Sequence, residues 1–206
     1  MCIIICAGQF IKSKGYFIPF SPAEIRHAYS NSGQNFTIQL QPFDDISSDK
    51  INYVLKEIKK VYSNTIVLKP VKLPARAFYK PRNRYRADTL IAWLSRHSPD
   101  NFVTIGLTSK DVSTNKDQYV DWGVMGLGYC PGNACVVSTF RLSKTNLLDQ
   151  VFKVAIHELG HTQGLPHCDV KTCYMRDAEG HNTTDEENEF CPKCRKLLEG
   201  KGWIFK

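Results

Sequence analysis

The sequence predicts an α/β layer fold, and three observations point there. Short β-branched or apolar runs alternate with segments of helical periodicity along the first two thirds of the chain. One long segment, 147–161, is apolar around most of its circumference, as a helix inside a layered core must be. Beyond residue 164 the chain turns polar and irregular, yet carries four of its eight cysteines. That last portion could hardly fold by apolar burial alone.

The elements follow in order. Residues 2–7 read as a first strand, and Ser21-Pro22 opens a helix to about Tyr29. Residues 36–40 read as a strand. From Ser48 to Tyr62 the apolar residues Ile51, Val54, Leu55, Ile58 and Val61 repeat at helical spacing, and Thr65–Leu68 is a β-branched strand. Arg86–Arg96 carries the helical stripe Leu90, Ile91 and Leu94, and Phe102–Leu107 reads as a buried strand. Residues 123–140 hold two short strands separated by the turn Pro131-Gly132-Asn133. Leu147–His161 is the longest helix. Its polar residues Gln150, Lys153, His157 and His161 form one narrow stripe, expected to line a cleft. A last helix is expected from Thr184, with Thr184 and Glu187 as a capping box.

The chain has 206 residues, a size for one domain with an appended lobe, and a net charge of +7. No apolar run approaches the roughly 20 residues of a spanning helix, so no membrane association is expected. The start, MCIIICAG, is short and lacks a basic flank. It reads as a buried strand rather than a secretory signal, and the chain is expected to be cytoplasmic. In that compartment the sequons at Asn35 and Asn182 are chance matches. Cys2, Cys6, Cys130 and Cys135 read as buried free thiols.

Chemistry concentrates in residues 157–175, HELGHTQGLPHCDVKTCYM. His157 and His161 stand four apart on one helical face and can reach a single metal ion, with Glu158 beside them to address a metal-bound water. The bland alternative is a helix with two surface histidines. The residues that follow weaken it: Gly164 can end the helix in a left-handed turn that brings His167 back toward the pair. Three neutral imidazoles plus a water make an open tetrahedral zinc site of catalytic type.

HELGHTQGLPH resembles the extended zinc motif of the metzincin peptidases, with Met175 where the Met-turn methionine would underlie the site. The closer similarity is to the archaemetzincins, or archaelysins. It is carried by Cys168, Cys173, Met175 and Cys191-Pro-Lys-Cys194, and by the segments RYRADTLIAWL and ACVVSTFRL. The resemblance is specific over 147–194 and diffuse before about residue 76. It implies a metzincin-like zincin fold: a mixed twisted sheet, an active-site helix and a small C-terminal subdomain stabilised by zinc. The expected division is 1–163, containing the active-site helix, and 164–206, containing the Met-turn and the cysteines.

Cys168 directly follows His167, and neighbours in an extended loop point to opposite sides. If His167 faces the cleft, Cys168 faces away, toward Cys173, Cys191 and Cys194. C-x4-C with a distant C-x-x-C suits a closed zinc site of four thiolates, whose charge Lys171, Lys193, Arg195 and Lys196 would offset. Two disulfides are the alternative. The resemblance implies the same two metals: an open three-histidine zinc and a structural four-cysteine zinc.

The expected function is therefore hydrolysis of peptide bonds, with Glu158 as general base, acting on peptide or protein substrates as a monomer. Tyr174 has no motif that gives it an oxyanion role, and His181 reads as solvated. The strand near 123–128 is expected to be the cleft edge to which a peptide adds, by analogy with metzincins. A zinc-stabilised peptide-binding protein without turnover is one alternative, but it gives Glu158 nothing to do. A nucleic-acid-binding zinc protein is another, suggested by charge and by Arg76–Arg86 (RAFYKPRNRYR). It leaves the histidine motif unexplained, and that stretch is expected to be a solvated loop, with a preference for acidic residues in a substrate as a further reading.

Overall fold

Six strands make the main sheet, in the order β1-β9-β10-β6-β2-β3. The structure, a computed structural model, describes residues 4–6 and 36–205. The expected helix over 21–29, Cys2 and the sequon at Asn35 lie outside these residues. The strands are β1 (Ile4–Cys6), β2 (Thr37–Pro42), β3 (Thr65–Val67), β6 (Phe102–Thr108), β9 (Gly126–Cys130) and β10 (Ala134–Ser138). Every pairing is parallel except β9 with β10.

The alternation of side chains assigns the two faces. Ile38, Leu40, Val103, Ile105, Leu107, Cys135 and Val137 point to one face, where they meet α1 (Ser48–Val61) and α3 (Leu147–Thr162). Val136 and Ala134 point to the other, where Leu90, Ile91 and Leu94 of α2 (Ala87–His97) cover them. Covered on both faces, the central strands bury Gln39 and Thr104 as well. Gln39 Nε2 donates to Thr104 Oγ1 at 2.6 Å, which satisfies both.

A second sheet, β4-β5-β7-β8, has no counterpart in the sequence reading. It comprises β4 (Phe78–Tyr79), β5 (Arg84–Arg86), β7 (Val112–Lys116) and β8 (Tyr119–Val124). The expected solvated loop over 76–86 is thereby corrected. Arg84 is largely buried, its Nε 3.1 Å from Asp111 and its Nη1 3.3 Å from Asp121. Charge pairing takes the place of the apolar alternation that would have disclosed these strands.

Three further expectations are revised. The strand expected over 123–128 is two strands, the end of β8 and the start of β9. Over Gly128–Cys130 the side of β9 away from β10 is occupied by β1, while β8 ends its own sheet. The polar stripe of α3 does not line a cleft along its whole length. Lys153 Nζ donates to the Thr184 carbonyl at 2.9 Å, and Gln150 Nε2 to Asp185 at 2.8 Å, so its N-terminal end is a seam sealed by the C-terminal segment. The last helix, α4, spans Pro192–Glu199. Thr184 instead begins a single 3-10 turn, its hydroxyl donating to Asn182 Oδ1 at 2.7 Å, and Glu187 accepts from Thr183 rather than Thr184. Pro192 at the first helical position fixes the later start.

Candidate metal centres

Helix α3 carries His157 and His161 one turn apart, and its ending determines where His167 goes. Gly164 has φ +89°, a left-handed conformation that favours glycine. Its N–H donates to the His161 carbonyl at 2.8 Å, and that of Leu165 to the Gly160 carbonyl at 3.0 Å, which is the Schellman pattern. The chain reverses, and the three imidazoles face one another with ring centroids 4.6, 5.0 and 5.4 Å apart.

Each ring is anchored through Nδ1. His157 contacts the Tyr174 carbonyl, His161 the Leu165 carbonyl at 2.7 Å, and His167 the Asp177 carboxylate at 3.1 Å. The three Nε2 atoms are buried and have no hydrogen-bond partner among the described residues. One ligand nitrogen from each ring lies within 4.8 Å of the others. Burial, the largest cause, keeps the rings neutral: it pushes His157 well down, His161 to about 3, and His167 down against the pull of Asp177. Orphaned, neutral, convergent imidazole nitrogens fit a metal ion.

Glu158 is fully buried beside His157. Its carboxylate lies against Gly126 of β9, where a side-chain carbon would come within 2.5 Å of Oε1. Strand and helix can approach so closely only with glycine there. Met175 is fully buried and lies against Gly160, between the two helical histidines.

The four cysteines form a second cluster. Sγ of Cys168 is 3.7 Å from that of Cys191, and Sγ of Cys173 is 3.8 Å from that of Cys194. A disulfide requires about 2.05 Å, so the alternative of two bridges is not what these positions make. All four sulfurs lie within 4.8 Å of one another. The backbone N–H groups of Met175 and Cys191 donate to Cys173 Sγ at 3.5 and 3.3 Å. These bonds, after the one from Cys194, hold the Cys173 thiol down to about 5, in the thiolate form a metal requires. Of the basic residues expected to offset the cluster, Arg195 pairs with Glu189 instead.

The clusters share a strap. Cys168 N–H donates to the Met175 carbonyl at 2.8 Å, and Tyr174 N–H to the Glu189 carbonyl at 2.8 Å. The backbone of 167–175 thus carries one histidine, two cysteines and the carbonyl that anchors His157. The Tyr174 ring turns away, toward Phe152 and Phe190, and burial raises its hydroxyl to about 12. His181 is exposed. Sequence reasoning missed Asp177. It also missed the carbonyls of Leu165 and Tyr174, because a backbone acceptor leaves no mark on residue identity.

The profile of peptidase family M54 matches residues 24–200. An archaemetzincin of Haloquadratum walsbyi is 29% identical over 175 residues, covering 78% of this chain and 98% of its own. One from Methanopyrus kandleri is 35% identical over 135 residues, covering 64% and 75%. Among solved structures, the archaemetzincin of Methanopyrus kandleri superposes with a TM-score of 0.70 at 29% identity, covering 81% of this chain and 95% of that one. That of Archaeoglobus fulgidus, complexed with malonate, gives 0.67 at 26%, covering 79% and 99%. The chain belongs to peptidase family M54 and is a zinc metallopeptidase.

Proposed function

We propose that His157, His161 and His167 hold a catalytic zinc, that Cys168, Cys173, Cys191 and Cys194 hold a structural one, and that the chain cleaves peptide bonds as a metzincin. The observation that carries the catalytic reading is the convergence of three buried, otherwise unpartnered Nε2 atoms. A zinc ion held there would polarise the scissile carbonyl and supply a nucleophilic water at neutral pH. Glu158 accepts the proton of the attacking water and returns it to the leaving amine. Its burial beside Gly126 fixes the carboxylate in one position. The oxygens on Nδ1 leave Nε2 of each ring as the ligand atom and hold its direction. Met175 supplies an apolar floor.

We read 1–163 as the part that carries the active-site helix, and 164–206 as the part that the thiolates stabilise. Every proposed ligand comes from one chain, which suits a monomer. No helix among the described residues is long and apolar enough to cross a membrane. Cys130, Cys135, Cys168, Cys173, Cys191 and Cys194 are free thiols, which suits the cytoplasm.

The test is Glu158→Gln in protein purified without chelator. Zinc content should stay at about two per chain while cleavage of a peptide library falls roughly 10²-fold or more. Undiminished cleavage would remove Glu158 as the base. One zinc per chain, unchanged by Cys191→Ala, would remove the second metal.

A further inference from the structure

The second sheet does more than extend the fold, because it brings three arginines to one cavity. The cavity, of about 430 Å³, is lined by Arg82, Arg84 and Arg141, with Asp121 the single carboxylate among its walls. Trp122, Met125, His181 and Asn182 also line it.

The cavity adjoins the catalytic cluster. Met125 directly precedes Gly126, the residue that rests on the Glu158 carboxylate. Consecutive Cα atoms are about 3.8 Å apart, so this wall of the cavity stands one residue from the contact with the Glu158 carboxylate.

The charges are not internally matched. Arg141 holds Asp111 in a two-pronged bond, Nε to Oδ1 and Nη2 to Oδ2, both 2.9 Å. Its guanidinium lies flat on Gly123, where any side chain would collide with it. Arg84 is then left with the far side of Asp111 and a 3.3 Å approach to Asp121, and its buried Nε has no hydrogen bond of good geometry. Arg82 is more exposed and comes no nearer to Asp121 than 3.9 Å. Neither buried oxygen of Asp121 accepts a hydrogen bond among the described residues. Arg86, which pairs with Asp88 at 3.4 Å, also comes to 3.8 Å from Asp121, so four guanidinium groups share three carboxylates. Arginine presents N–H pairs that match a carboxylate in a fixed fork.

We propose that the cavity bounded by Arg82, Arg84 and Arg141 is a subsite that binds a carboxylate of the peptide substrate. This rests on the peptidase reading. The carboxylate can belong to an aspartate or glutamate side chain or to the peptide's own C-terminus. Arg82 contributes the most exposed and most loosely paired cation, Arg84 the buried N–H, and Arg141 the rigid wall.

The test uses the zinc-loaded full chain and peptides identical except for Asp or Asn, and Glu or Gln, at each position in turn. Each peptide is made with a free and an amidated C-terminus. The expected result is one position at which the acid raises kcat/KM about tenfold or more over its amide, the scale of a hydrogen bond to a charged group. Alternatively, amidation alone produces a loss of that size, which assigns the carboxylate to the C-terminus. The acid-to-amide ratio should fall toward unity in Arg82→Gln and Arg141→Lys. Arg82 is exposed enough that its loss should leave the fold intact, which a thermal melt verifies. Equal cleavage of all acid and amide pairs, free and amidated, overturns the subsite and leaves the peptidase reading standing. Cleavage of no peptide at all refutes the peptidase reading instead. Fluorescence polarisation with labelled acidic and amide peptides then decides the subsite, and equal affinities overturn it.

Discussion

Removing the Asp177 carboxylate should loosen the catalytic metal without touching the structural one. Of the three proposed ligands, His157 and His161 are anchored by backbone carbonyls, which substitution cannot delete. His167 alone is anchored by a side chain, Asp177 Oδ2 at 3.1 Å from Nδ1. Loss of such an outer partner costs roughly 10- to 100-fold in metal affinity. The Asp177 side chain is 46% exposed, so water screens its charge and what remains is mainly orientation. Asp177→Ala should therefore sit at the low end, about tenfold, or about 1.4 kcal/mol. Asp177→Asn keeps an acceptor for Nδ1–H and should recover most of the loss. The assay is competition for zinc against a chelator of known affinity at neutral pH, resolving the two metals. The thiolate zinc serves as the internal control. Unchanged affinity at the histidine site in Asp177→Ala would refute the anchoring role. Equal weakening of both sites would mean that the substitution had merely disordered the 164–190 segment.

Other outcomes follow from the same geometry. Gly164→Ala has room for its methyl group, the nearest atom being Pro131 Cβ at 3.7 Å, so its cost is that of the left-handed backbone alone. That cost is about 1–2 kcal/mol, a Tm loss of roughly 2–8 °C by calorimetry. A mild chelator should remove the catalytic zinc first and leave a folded, inactive chain, followed by zinc release and thermal melts together; joint loss of both metals with global unfolding would contradict this. Burial raises the Glu187 carboxyl to about 7 from an ordinary 4.5. The folded state then holds this proton more tightly than the unfolded one. Stability present below about pH 4.5 is lost as pH rises through 7, by about 3 kcal/mol at most. Glu187→Gln should flatten that part of the pH–stability curve, and parallel curves for the two proteins would refute the assignment.

The two candidate ligand clusters were legible because metal-binding chemistry restricts residue type and spacing. Two histidines one turn apart, a glycine that must turn left, and paired cysteines can be read without coordinates. Helices α1 and α2 were legible because each must bury one face, and α3 because it must bury nearly its whole surface. The second sheet was not, since Arg84, Arg86, Asp111 and Asp121 hold it by pairing that has no period along the chain. The last helix was misplaced because Thr184 and Glu187 satisfy a local pattern that tertiary bonds to Asn182 and Thr183 override. Asp177 was equally hidden, being one acidic residue in a polar loop until His167 is known to lie beside it.

The strap over 167–175 ties the affinities of the two clusters to each other. Whatever factor the filled thiolate cluster adds to zinc affinity at the histidines, by fixing His167 and the Tyr174 carbonyl, the filled histidine cluster must return to the thiolates. If both clusters fill as proposed and the filled thiolates strengthen zinc binding at the histidines, oxidising the sulfurs should also lower the occupancy of a centre that contains no sulfur. Peptide hydrolysis by this chain would then report thiol redox state, with the message carried by nine residues of backbone.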